Sequence, residues 1–250
     1  MKPGQRQARI REIIGRDGET RVDALAALFG LSAETVRRDL ARLAREGAIQ
    51  KTHGGARRLR LFAEGSRAER AAEGAEAKAR IARRLAALVE PGETLFIDAG
   101  TTTLACAEAL GAVDRLTVIT NSIDIAQAVG RNASAAVFLL GGALRAGDAE
   151  TVGPLVIEQV GRFQADRAIL TVAGLDAEAG ATDSSFEEAQ VARAMIARAG
   201  STVVVAHADK LGRRAAFRVC DLGAVEMLVC DRPVPEAMAG PLAQARIEVA

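Results

Sequence analysis

Residues 22–46 read VDALAALFGLSAETVRRDLARLARE, and the breakers in this stretch decide the fold of the front of the chain. Val22, Leu25, Ala26 and Phe29 share one stripe of a short helix over 22–29. Gly30 suits its C-terminal cap, because glycine enters the left-handed region without a Cβ clash. Ser32 is a good N-cap for a second helix over 33–46, which Gly47 stops. In that helix Val36, Leu40 and Leu43 form the buried stripe. Thr35, Arg38, Arg42 and Arg45 recur on another face, with Arg37 beside it. A joint this short forces a steep crossing, which makes a helix-turn-helix with 33–46 as the reader.

The flanks extend this pattern. Upstream, Arg6–Arg16 places Ile10, Ile13 and Ile14 at helical spacing and ends at Asp17-Gly18. Downstream, Ala48–Thr52 reads as a strand, His53-Gly54-Gly55 as a tight turn and Ala56–Arg58 as the return strand, together a wing. A helix about 10–12 Å wide fills a major groove about 12 Å wide. Thr35, Arg37, Arg38 and Arg42 can then reach base edges and phosphates, while Lys51, His53 and Arg57 reach the flanking backbone. The net charge of the chain is only +1, but its distribution is lopsided: Met1–Arg60 holds 14 Lys and Arg against 7 Asp and Glu, and the remainder is net acidic. A solvated face on a packing helix is the plainer reading of any one Arg-rich helix. Three helices, a wing and a basic head together favour double-stranded DNA.

Composition removes other classes. With no Trp or Tyr and only 7 Phe, the chain lacks stacking platforms for unpaired bases. The longest apolar run, around Ala135–Leu144, is half the roughly 20 residues that span a bilayer. The N-terminus has no apolar signal region, so no membrane partner and a cytoplasmic address are expected. Cys106, Cys220 and Cys230 form no C-x-x-C and read as buried thiols; neither a metal nor a cofactor is expected.

Three segments follow: a winged helix-turn-helix over 1–58, a charged linker over 59–75, and a larger α/β unit over 76–250. In the last, strand-like runs at Thr94–Ile97, Leu116–Thr120, Ala136–Leu140, Ala168–Val172, Thr202–Val205 and Met227–Val229 alternate with helical patterns such as Lys78–Val89 and Ala189–Ala199. That alternation predicts a mostly parallel sheet with helices on its faces, binding ligands beyond the carboxyl ends of its strands. The first strand ends in Asp98-Ala99-Gly100-Thr101-Thr102-Thr103 and enters a helix. This is either an anion cradle at a helix N-terminus or an ordinary capped turn. It is neither G-x-G-x-x-G nor a Walker loop, since Asp148 follows Gly147 where a lysine is required. Thr120-Asn121-Ser122 and Gly141-Gly142 mark two further strand ends. Lys210 follows another, one of four lysines against 29 arginines, and reads as an anion partner or as a lone surface lysine. Asp183, Glu187 and Glu188 could accept from sugar hydroxyls or simply form a solvated first helical turn.

Ser32-Ala33-Glu34-Thr35-Val36-Arg37-Arg38-Asp39-Leu40, preceded by Arg6-x3-Ile10-x3-Ile14 and followed by His53-Gly54-Gly55-Ala56, resembles the DeoR family of bacterial transcriptional regulators. The likeness continues through Phe96–Thr103, Thr120–Ser122, Leu139–Gly142, Val152-Gly153-Pro154 and Gly174-Leu175-Asp176. Gly212-Arg213 and the Cys230–Pro233 stretch resemble the glycerol-3-phosphate repressor branch. The resemblance implies operator binding by an oligomer through a head that includes Arg6, Ser32, Arg37 and Arg38, with Asp39 orienting a neighbouring Arg. It also implies an effector domain similar in fold to sugar-phosphate isomerases. There Asp98, Gly100–Thr103, Asn121, Ser122, Gly142, Glu188 and Lys210 line a site for a phosphorylated sugar or polyol. His207 stands where the family commonly has Asp, and either touches the ligand or packs. The rivals are an isomerase-like enzyme, with Asp98, Asp183, Glu188 or Asp209 as base, and a non-specific architectural DNA protein.

Overall fold

The computed structural model describes residues 3–45, 48–52, 54–58 and 65–250. The chain divides into two compact units, Met1–Leu61 and Phe62–Ala250.

In the first unit, α1 (Pro3–Asp17), β1 (Glu19–Arg21), α2 (Val22–Phe29) and α3 (Ala33–Arg45) precede a hairpin of β2 (Ile49–Thr52) and β3 (Gly55–Arg58). Gly30 ends α2 at φ +63°, and Leu31 donates its N–H back to the Ala26 carbonyl at 3.0 Å. The expected apolar stripes meet: Ile10, Ile13 and Ile14 pack with Val22, Leu25, Val36, Leu40, Leu43 and Ile49. The wing has one strand more than the sequence predicts. β1 pairs antiparallel with β3, giving the order β1-β3-β2. Its three polar residues carry no alternation to read. Gly55 permits the pairing, since a Cβ there would stand 2.2 Å from the Thr20 carbonyl oxygen.

The second unit opens with α4 (Arg67–Ala72) inside the stretch read as linker, and α5 (Ala75–Ala86) follows. Ser66 caps α4 by accepting the Glu69 N–H, and the Glu69 carboxylate accepts the Ser66 N–H in return. Then come β4 (Thr94–Ile97), α6 (Thr101–Leu110), β5 (Thr117–Thr120), α7 (Ile123–Val129), β6 (Ala136–Leu139), the hairpin of β7 (Ala143–Arg145) and β8 (Glu150–Val152), α8 (Pro154–Val160) and β9 (Ala165–Leu170). The chain closes with β10 (Gly174–Asp176), β11 (Gly180–Asp183), α9 (Phe186–Ile196), β12 (Ala199–Ala206), β13 (Phe217–Cys220), β14 (Met227–Cys230), α10 (Glu236–Ala239) and β15 (Arg246–Val249).

Seven strands form one parallel sheet in the order β15-β14-β12-β9-β4-β5-β6. Period-two geometry divides each strand between two cores. Leu95, Ile97, Val203 and Val205 pack with Ile81 and Leu85 of α5 and Cys106 and Leu110 of α6. Phe96 and Val204 pack on the other face with Val156 of α8 and Met195 of α9. Both faces are covered, which is why the strands read as unbroken apolar runs. The sequence does not predict β15, the β7–β8 hairpin or the β10-β11-β13 sheet. The two hairpin strands have three residues each and β10 and β11 are rich in Gly and Asp, so neither has a β-branched run to announce it. Among the described residues no helix is long and apolar enough to cross a membrane.

Candidate functional site

In the first unit, Arg37, Arg38 and Arg42 project from α3 to solvent, and Lys51 on β2 is also exposed. Ser32 sets the start of α3: its Oγ accepts the Thr35 N–H at 3.3 Å and shares a 3.0 Å hydrogen bond with the Thr35 hydroxyl. His53 lies outside the described residues. Arg6 is corrected. It is 8% exposed, and its Nε donates to Asp39 Oδ2 at 2.5 Å, while Gln7 Nε2 donates to Asp39 Oδ1 at 2.9 Å. An arginine committed to a buried carboxylate holds α1 on α3 and is not available to a DNA phosphate. Asp39 does orient an Arg, but one from α1, 33 residues away, not a neighbour on its own helix.

In the second unit, the carboxyl ends of β4, β5, β9 and β12 converge. Gly100 passes the chain from β4 into α6, whose first turn has no side-chain cap. The helix therefore offers unpaired N–H groups and the positive end of its dipole. Gly100 is in extended backbone (φ 174°), so it is not there for conformational freedom. A Cβ would stand 2.2 Å from Thr171 Cγ2, so the loop can sit this close to β9 only without one. Gly100, Thr101 and Thr102 line a narrow cleft together with Asp183, Glu188, His207 and Lys210. Ser122 lines an adjoining lobe, with Glu150 and again Glu188.

Other predicted residues support the cleft from behind. Asp98 accepts the Thr171 N–H at both oxygens (3.0 and 3.1 Å), tying the ends of β4 and β9 together. Burial pushes its carboxyl well above the usual range. Thr103 is fully buried and donates to the Gly100 carbonyl at 3.1 Å. Asn121 is 1% exposed and donates to the Thr151 carbonyl at 2.9 Å and to Glu150 at 3.4 Å; its Oδ1 has no hydrogen-bond partner. Gly142 is not brought to the cleft. It is exposed, and its missing Cβ makes room for Val156 and the Val152 carbonyl. Of the acidic pair on α9, Glu187 faces solvent and Glu188 turns inward. Asp209 is exposed.

Sequence reasoning missed Arg70 and Lys78, both in the cleft wall. Lys78 is 4% exposed, and its Nζ donates to Thr101 Oγ1 at 3.0 Å. Arg70 pairs with Asp148 at 2.6 Å. His207 is 4% exposed, and burial with the nearby Lys210 charge lowers its pKa and keeps it neutral. Asp148, Glu150 and Glu188 approach within 4.8 Å of one another, a spacing that suits a metal ion. The Arg145 guanidinium already stands among them, at 3.4, 3.1 and 2.8 Å. Glu150 is 1% exposed, and burial followed by Glu188 repulsion raises its pKa to about 8. The cleft thus combines cations at a helix N-terminus with carboxylates opposite, the donor and acceptor set of a small phosphorylated, hydroxylated molecule.

Residues 6–60 match the DeoR-like helix-turn-helix domain, and residues 73–232 match the DeoR C terminal sensor domain. The chain belongs to the DeoR family. It is 30% identical over 249 residues to the glycerol-3-phosphate regulon repressor of Escherichia coli strain K12, covering 100% of this chain and 99% of that one. It is 32% identical to the HTH-type transcriptional repressor GlcR of Bacillus subtilis strain 168, covering 93% and 90%. These DeoR-family relatives are named as repressors, and the chain is likewise a DNA-binding transcriptional regulator and not an enzyme. Among solved structures, ribose 5-phosphate isomerase A from Methanocaldococcus jannaschii overlaps with a TM-score of 0.41 at 14% identity, over 56% of this chain and 55% of that one. A likeness that slight carries no argument about ligand or activity.

Proposed function

We propose that this regulator represses a sugar or polyol catabolic operon, and that a phosphorylated sugar or polyol in the cleft modulates its grip on the operator. The observation that carries the reading is the uncapped start of α6 facing two buried lysines, Lys78 and Lys210, across Gly100–Thr102. A helix N-terminus with two ammonium groups on one cleft wall favours an anionic group at that spot. Glu188, Asp183 and Glu150 supply acceptors for hydroxyl groups. In the head, Thr35, Arg37, Arg38 and Arg42 read the major groove, and Lys51 grips the flanking backbone. Phosphate contacts supply affinity and α3 supplies sequence preference. By linkage, an effector that weakens operator binding is itself bound more weakly by the operator complex, by the same factor.

The regulator acts in the cytoplasm as a homo-oligomer on double-stranded DNA. One edge of the large sheet supports self-association. Ala136 and Leu140 donate their N–H groups inward to the Leu116 and Thr120 carbonyls, both at 2.8 Å, so the groups of Val137 and Leu139 point outward from β6. Phe138, Leu139, Leu144 and Leu155 around that edge are 46–60% exposed, whereas the opposite edge, β15, carries Arg246 and Glu248. An uncharged open edge invites a second strand.

The test is to select a duplex from a randomised library with the purified full chain, then titrate that complex with phosphorylated sugars and polyols while following melting temperature. A bound effector raises the melting point and shifts duplex affinity. A preference for the selected duplex below about 10³ over random DNA would favour an architectural protein. Failure of every phosphate ester to raise the melting point would remove the sensing function.

A further inference from the structure

Lys78 serves two masters. Its Nζ donates both to the backbone carbonyl of Arg70, in the last turn of α4, and to Thr101 Oγ1 at the first residue of α6. Thr101 Oγ1 also donates to the Arg70 carbonyl, at 3.5 Å. The last carbonyls of a helix lack intrahelical partners, so the lysine caps α4 with a full positive charge. None of its six residues is buried, and ion pairs of Arg67 with Asp124 and of Arg70 with Asp148 help to tie it to the rest of the unit. An element with no apolar anchor lies at the low end of local stability. In sequence, α4 is the first helix after the DNA-binding unit.

Resting on the effector-site reading above, we propose that Lys78 is a latch whose ammonium is shared in competition between α4 and the effector's phosphate. A phosphate at the start of α6 meets the Thr101 hydroxyl and the Lys78 ammonium. Its charged oxygens bind that ammonium more strongly than a neutral carbonyl does. As the lysine turns to the phosphate, the Arg70 carbonyl loses its cap and α4 loosens at its C-terminal end. The ligand favours the unlatched arrangement because only there does it receive the whole lysine charge, which is the differential affinity any population shift requires.

Amide hydrogen exchange over residues 67–72 of the full chain tests this, with inorganic phosphate and glycerol 3-phosphate as probes and melting temperature as the parallel measure of binding. The expected result is a raised melting point together with exchange about tenfold faster in α4. Lys78→Met should exchange fast with or without either probe. A raised melting point with α4 exchange unchanged or slowed overturns the latch, and so does a Lys78→Met chain that protects α4 as well as the wild type. If neither probe raises the melting point of the wild type, the sensing of these phosphates falls instead. The Lys78→Met comparison, which needs no ligand, then still decides the latch.

Discussion

The two units use the same charged side chains in opposite settings. In the head, Arg37, Arg38, Arg42 and Lys51 stand in solvent. In the body, Lys78, Lys210, Asp98, Asp183, Glu150 and His207 are all less than 10% exposed. The difference reflects partner size. A DNA backbone is long and brings its charges to the protein surface, so the cations that meet it cost little to keep hydrated. A metabolite is small and must be enclosed, and in a site shielded from water each charge acts more strongly. Exposure of the cations therefore separates the proposed macromolecular interface from the proposed small-molecule one.

Arg6 is the head's exception to that division, and removing it should have the largest effect. Arg6→Ala leaves Asp39 in the core with Gln7 as a partner and should destabilise the head by about 3 kcal/mol, the low end for breaking a buried pair. Calorimetry should show the head melting earlier and the body unmoved; an unmoved head would return Arg6 to the exposed class. Arg38→Ala comes next. It should weaken the selected duplex about tenfold, near the low end for loss of one base-reading arginine, leaving the body's melting shift with phosphate esters intact. Loss of that shift would contradict the separation of the two sites.

The smallest effect sharpens the comparison through pH. Glu150 binds its proton in the folded state up to about pH 8 and near 4.5 when unfolded. Its contribution is complete below pH 4.5 and disappears as pH rises through 8. His207, held neutral, has the opposite sign, but its lowered value lies below 6.5, so it drops out above pH 7. Between pH 7 and 9 the body should lose about 1 kcal/mol that Glu150→Gln does not lose. Parallel melting curves for the two proteins across that range would show that Glu150 titrates normally.

Much of this division was legible in the sequence. The Gly30–Ser32 joint set the reader helix, and the apolar strand runs announced a sheet covered on both faces. The Gly100–Thr102 loop reached the cleft because strand ends are where such sheets bind ligands. What stayed hidden depends on long-range approach. Arg70 meets Asp148 across 78 positions, and Lys78 meets Thr101 across 23. The scarcity of lysine that drew attention to Lys210 applies equally to Lys78, which sits three residues before Ile81 on the buried stripe of α5; that signal could have found it. Arg6 was misread because a basic residue on an amphipathic helix does not declare which face it joins. Gly142 was misread because a glycine permits close approach of a neighbouring side chain as readily as of a ligand.

Apart from Arg70 and Glu73 at the end of α4 and Lys78 on the buried stripe of α5, the polar side chains of the cleft sit at strand ends, in the connections that follow them or in the first turns of helices. On the function proposed above, a change of recognised metabolite therefore takes only a few residues at the tips and leaves the apolar interior as it is.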